Sequence, residues 1–323
     1  MRKKIPDISN QIYKKDTLST LENKYSTMGP MWVTHQMEWL SGVYASFKDH
    51  DKFLIIIFLT KKTLDFYSRN FIKLTYDEFY SKATIEIEKY TIIEISKALH
   101  IPKESTRRKV SELEKEGAIR KLKKKTIIDR SKFYHSKPVD SIKRVSRFLA
   151  TLSSMCLHEK VLLKGITSQQ LELIIKANFS YIWKIYYEIQ IPMMVEYKKI
   201  FEDLETFHIF GTCVVNEHLF AKKISKDYMD RDDFVNSFFA ANEMQGINAM
   251  SISDITGIPR ATVIRKLKNL IKKNMLSIDT KKHYRLTRHF IKEFMMPTQA
   301  GILTKVADFS AHIFNLILLD AKP

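Results

Sequence analysis

Cysteine is nearly absent: Cys156 and Cys213 are the only two in 323 residues, and no paired spacing connects them. That excludes a disulfide scaffold and a zinc site, and both thiols read as small core residues in a reducing compartment. Glycine and proline are scarce, eight of each, which argues for a mainly helical chain with short strands. Nothing resembles a phosphate-cradling glycine loop, a set of metal ligands or an activated nucleophile. No enzyme activity, cofactor or metal is therefore expected. Long apolar runs are missing as well. Phe53 to Leu59 is apolar throughout but far too short to span a bilayer. The charged N-terminus lacks the apolar stretch of a secretory signal, so a cytoplasmic protein with no membrane partner is expected.

Positive charge is what the chain has in excess, +18 in total. Between Lys97 and Arg147 there are 17 Lys/Arg against 6 Asp/Glu, and between Arg260 and Lys292 there are 11 against one Asp. These two segments carry +11 and +10, so the remainder is slightly acidic, at −3. A compositional bias towards lysine would spread the charge, whereas this charge is confined to two places. Such confinement is the footprint of a polyanion-binding surface.

The same two places carry one sequence pattern twice. The first runs Ile101-Pro102-Lys103-Glu104-Ser105-Thr106-Arg107-Arg108-Lys109-Val110, then Leu113 and Gly117-Ala118-Ile119. The second runs Ile258-Pro259-Arg260-Ala261-Thr262-Val263-Ile264-Arg265-Lys266-Leu267, then Leu270 and Asn274-Met275-Leu276. From Ile101 to Ile258 is 157 positions, and every pair holds that register without a gap. Each proline falls where a missing N–H costs nothing, at a helix start. Gly117 and Asn274 suit a left-handed helix end. Val110, Leu113 and Ile119 space as one buried stripe, as do Leu267, Leu270 and Leu276. A short helix, a turn, a basic helix and a hairpin follow in the order of a winged helix-turn-helix. The hairpins are placed at about Arg120–Tyr134, with Lys121, Lys123, Lys124 and Lys125 near its turn, and at about Ser277–Thr287, with Lys281 and Lys282. Weaker echoes, Arg144-Val145 with Phe148 and Lys305-Val306 with Phe309, extend the repeat to a closing helix 161 positions apart.

The stretch Ile258 to Leu267 resembles the recognition helix of MarR-type and related bacterial winged-helix regulators, over about forty residues in each copy. The resemblance implies that Arg260, Thr262, Ile264 and Arg265, flanked by Lys266 and Lys268, face a major groove or its phosphates. By the repeat, Lys103, Ser105, Thr106, Arg107, Arg108 and Lys109 would do the same in the first copy. That copy departs at Glu104, Thr106 and Arg107, which implies a different base preference. Glu104 has two readings, accepting from cytosine N4 or capping its helix N-terminus. Relatives also bind small effectors between helices, and an effector and a contact with RNA polymerase are implied here in the same way.

The expected fold is thus mainly α with short β-wings, two winged helix-turn-helix domains in an internally duplicated, pseudo-two-fold helical chain. A polar arm is expected over residues 1–20. A first half over 21–160 would hold a winged helix at about 76–135, and a second over 161–323 one at about 234–288. The aromatic stretches from Met31 to Phe71 and from Ile174 to Lys223 read as core or as an interface between halves. Asp230, Asp232 and Asp233 read as helix capping. The function expected is sequence-specific binding of double-stranded DNA in transcription regulation, by a monomer acting as a pseudo-dimer or by a homodimer. A plasmid or phage replication initiator and a nucleoid-associated protein are the alternatives.

Overall fold

The computed structural model describes residues 8–133, 137–224, 228–240 and 246–320. Helices α1 (Lys14–Asn23), α2 (Tyr25–Phe47), α3 (His50–Arg69) and the short α4 (Tyr76–Phe79) lead to strand β1 (Thr84–Ile87). Helices α5 (Ile92–Leu99) and α6 (Lys103–Lys115), hairpin strands β2 (Ile119–Lys121) and β3 (Thr126–Asp129), and α7 (Val139–His158) complete this series. The order then recurs as α8 (Ser168–Ala177), α9 (Phe179–Phe201), α10 (Leu204–Ile224), α11 (Arg231–Ala240) and β4 (Ile247–Asn248). It continues with α12 (Ala249–Thr256), α13 (Arg260–Lys272), β5 (Leu276–Ile278) and β6 (His283–Leu286). Finally α14 (Arg288–Phe290) passes through a π-helical turn, Ile291–Met295, into α15 (Met296–Asp320). The protein is mainly helical, with two small antiparallel sheets ordered β1-β3-β2 and β4-β6-β5. The end of the expected first wing, at Tyr134 and His135, lies outside the described residues.

Helix starts are set locally. Thr75, Thr91 and Thr167 each cap a helix and are answered by Glu78, Glu94 and Gln170 in reciprocal capping boxes. Asp230 accepts from the Asp233 N–H, the capping role expected of that acidic cluster. Helices α1 and α8 both have 10 residues, α2 and α9 both 23, and α6 and α13 both 13. Each of α8, α9 and α10 begins 154 positions after its counterpart α1, α2 or α3, so the repeat begins well upstream of the 157-position register.

Packing between the halves is reciprocal. Helix α1 lies on α15 and α8 on α7, while α2 packs against α10 and α3 against α9. Hydrogen bonds follow the same exchange. Ser26 donates its N–H to the Met229 carbonyl and accepts from the Met229 N–H on its hydroxyl, at 3.1 and 2.9 Å. Ser180 makes the matching pair with Leu74, at 3.0 and 2.9 Å. At the centre of the interface Arg144 donates to His35 Nδ1 (3.2 Å), which fixes the proton on Nε2 for donation to the Tyr186 hydroxyl (2.8 Å). Gln190 also donates to that hydroxyl, at 2.7 Å. Arg288–Leu318 is one helical run long and apolar enough to cross a membrane, but half of it is buried, with Phe309 packed towards Tyr186.

The N-terminal arm expected over residues 1–20 requires correction from Ile12 onward. Thr17 and Thr20 are buried in α1, the Thr17 hydroxyl donates to the Ala307 carbonyl (3.0 Å), and Asn315 brackets the Ile12 backbone at 2.8 Å twice. Tertiary partners on α15 turn a polar segment into a docked helix. The aromatic stretches are also broken, at Asp49 and Asp203, into α2 and α3 and into α9 and α10.

Two predictions follow from this packing. Halves comprising residues 1–160 and 161–323 should each lack cooperative unfolding when made alone, and should regain it on co-expression. A sharp urea transition in either isolated half would show that the exchange is dispensable. Burial holds His35 and His218 down to about 3 and His50 down to about 4. The unfolded chain takes up protons near pH 6.5 that these rings refuse. Stability is therefore complete above about pH 6.5 and falls as pH drops towards 4, and His50→Gln should make that decline in the urea midpoint shallower.

Candidate nucleic-acid interface

Each turn between the paired helices is built from local constraints. Helix α5 ends on His100 (φ 52°) and α12 on Gly257 (φ 69°), both left-handed. The Ser96 hydroxyl donates to the Ile101 carbonyl (2.6 Å) and the Ser253 hydroxyl to the Ile258 carbonyl (2.7 Å). Pro102 and Pro259 then open α6 and α13 in extended conformations, with ψ 138° and 134°. Helix α6 turns Thr106, Val110 and Leu113 inward, and α13 turns in Val263, Leu267 and Leu270. The opposite faces therefore present Lys103, Arg107 and Arg108 on α6 and Arg260, Arg265 and Lys268 on α13, all exposed. Ser105, Thr262 and Ile264 are half-buried.

Three expected contact residues point elsewhere. Thr106 is fully buried and its hydroxyl donates to the carbonyls of Ile101 and Pro102, both at 3.2 Å. It occupies the stripe position that Val263 holds in the second copy. Lys109 and Lys266 lie on the flank of the buried stripe, with side chains only 12% and 11% exposed, and pair with Asp49 and Asp203. They are removed from the expected contacts: they anchor the helices.

Those anchors were not read from the sequence. Asp49 caps α3, accepting from the N–H groups of Asp51 and Lys52. Asp203 accepts from the Thr206 N–H (2.8 Å) just before α10. Burial pushes both carboxyls up, but Lys109 and two backbone N–H groups, and Lys266 with Thr206, more than offset it and hold both below the usual range. Asp49 and Asp203 both act on the His50 ring, which stands 5.3 Å from that of His208. Helices α6 and α13 are thus hung from two neighbouring points. Lys198 on α9 ties in the first turn, donating to Asp51 (2.8 Å) and to the Leu99 carbonyl (3.4 Å). The only sequence signal for any of this was an aspartate at each helix start.

The two outer faces differ in charge. Carboxylates answer Arg107 (Glu104, 3.6 Å), Arg108 (Glu112, 3.8 Å), Lys121 (Glu114, 2.7 Å) and Lys125 (Glu86, 3.5 Å). Glu104 thus spends its carboxylate on Arg107, and no side-chain cap closes the α6 N-terminus. Among the described residues no ion pair involves Arg260, Arg265, Lys268, Lys281 or Lys282, nor Lys103, Lys123 or Lys124. The first hairpin tip is closed by Leu122 and Lys125, with a 2.8 Å bond from the Leu122 N–H, leaving Lys123 and Lys124 exposed. In the second, Asp279 accepts from the N–H groups of Lys281 (2.9 Å) and His283 (2.8 Å), and both lysines face solvent. Comparison with family models, curated proteins and solved structures finds no match.

Lys109→Met should cost about 2 kcal/mol of stability, because it strips a largely covered carboxylate of its counter-charge. Any effect on nucleic-acid binding should leave its salt dependence unchanged, whereas Arg265→Gln should reduce that dependence without lowering the melting temperature. A salt slope reduced by Lys109→Met would place that lysine on the outer face after all.

Proposed function

We propose that the chain is a sequence-specific double-stranded DNA-binding transcriptional regulator built from two winged helix-turn-helix units, β1 to β3 and β4 to β6. One observation carries the reading. Two basic helices with apolar inner stripes, each followed by a lysine-tipped hairpin, are fastened at adjacent points by inward lysines. Helices so presented suit two major-groove segments on one face of a duplex, with the hairpins beside the phosphate backbone.

The reciprocal packing supports a monomer that works as a pseudo-dimer, since one chain supplies both reading helices and their common mount. Docking of the second unit is then unimolecular, at an effective concentration on the order of millimolar. The different residues at Arg107 and Ile264 support an imperfect inverted repeat as the site. The uncompensated cations of α13 support a larger share of phosphate contacts for the second unit.

Selection from random-sequence duplexes followed by footprinting tests the reading. A protected site with two groove segments and one chain per duplex by mass is expected. Arg265→Ala should cost about 1–3 kcal/mol and relax selectivity in one half-site, with Arg108→Ala acting on the other. Neutralising Lys123, Lys124 and Lys125 should flatten the salt slope by about 0.9 per lost contact. Enrichment of no sequence at all would favour the nucleoid-associated reading, and binding of neither kind would end the proposal.

A further inference from the structure

Helices α5 and α12 hold equivalent places in the two units, 157 positions apart, and each has 8 residues. Each turns its inner side to the long helices, α5 to α3 and α9, and α12 to α10 and α2. The outer sides face solvent. Ile93 is 51% exposed, and its counterpart Met250 is 52% exposed. One turn further on, Lys97 and Asp254 are both exposed, followed by Ala98 and Ile255. A single bare apolar side chain needs no explanation. Here bare apolar residues recur at one matched position, each beside a charge.

Those charges are opposite and unanswered. Among the described residues, no ion pair or side-chain hydrogen bond involves Lys97 or Asp254. Lys97 stands in the last turn of α5, where the helix dipole favours a cation. Asp254 stands in the last turn of α12, where the same dipole disfavours an anion. Its placement is a local cost that nothing in its own chain offsets.

The signs restrict what can cover these two faces. Two α5 faces brought together would oppose Lys97 to Lys97, and two α12 faces would oppose Asp254 to Asp254. Asp254 would also repel a phosphate, which argues against DNA on the α12 face. An α5 face set against an α12 face pairs the charges, and brings the small Ala98 to the side that carries the larger Ile255. Within one chain both faces stay exposed, so they do not cover each other.

We propose that α5 of one chain docks on α12 of a second copy, head to tail. Such a contact uses different surfaces on the two partners and leaves a free face at each end, so it does not close at two chains. Two short helices bury far less than the roughly 1,200 Å² of a stable interface, and the contact is weak between free chains. Between chains on neighbouring DNA sites it forms at an effective concentration on the order of millimolar, and binding becomes cooperative. The cooperativity rests on the function proposed above; the contact between free chains does not.

Sedimentation of the full chain without DNA, over a wide concentration range, tests the contact. The average mass should rise steadily with concentration. Lys97→Asp and Asp254→Lys should each weaken association about tenfold, because each sets like charges face to face. The double reversal should restore it, as should an equimolar mixture of the two single variants. Both single variants should melt near the wild-type temperature, since neither side chain has a partner in its own chain. A wild-type chain that stays monomeric throughout, single reversals that associate unchanged, or a double reversal that restores nothing would each overturn the proposal. On duplexes carrying two adjacent copies of the selected site, the second wild-type chain should bind about tenfold more tightly than the first. The single reversals should fill the two copies independently, with affinity for an isolated site unchanged. Reduced affinity of both variants for an isolated site would mean that DNA covers these helices, and would overturn the proposal too. Because sedimentation is read without DNA, failure of the contact and failure of the regulator reading are told apart.

Discussion

The exchange of α2 and α3 for α10 and α9 is the constraint on which the molecule depends. Neither half covers its own long helices completely. Each packs both of them on the other half, and the buried Tyr186 hydroxyl is held by His35 from the opposite half. The serine pairs Ser26–Met229 and Ser180–Leu74 repeat this on either side. Because the mount is shared, the positions of α6 and α13 relative to each other are properties of the whole chain.

Lysine has two opposite duties in this protein, and burial separates them. Lys109 and Lys266 lie against carboxylates at the shared mount and position α6 and α13 from inside. Lys103, Lys123, Lys124, Lys268, Lys281 and Lys282 stand in solvent on the outside. The helix faces are not equal. Carboxylates at Glu104 and Glu112 temper the cations of α6, whereas α13 contains no acidic residue. A homodimer could not separate its two faces in this way, because both would be read from one sequence.

Much of the paired-helix architecture could be read from residues near one another in the chain. The left-handed ends, the prolines and the apolar stripe of α6 and α13 are local effects, and Gly117 and Asn274 take the positive φ expected of them, 76° and 55°. What could not be read depended on distant partners. Helix α1 is polar enough to pass for an arm until α15 supplies acceptors for Thr17 and a bracket for Ile12. Lys109 and Lys266 differ from their exposed neighbours only by standing over Asp49 and Asp203, residues about 60 positions upstream. A cavity beside Arg130 is walled by residues of α2, α3, α4, β3, α7 and α9, so no single stretch announces it.

Packing α1 against α15 joins the first described helix to the last, and this has a consequence for synthesis. At about 5–20 residues per second, the roughly 160 residues of the second half take on the order of 10–30 s to emerge. For that interval α2 and α3 have left the ribosome while α10 and α9, which pack against them, are incomplete or absent. The nascent first half must therefore wait with an apolar surface uncovered. Premature release or truncation in the second half would strand that surface and invite association between unfinished chains.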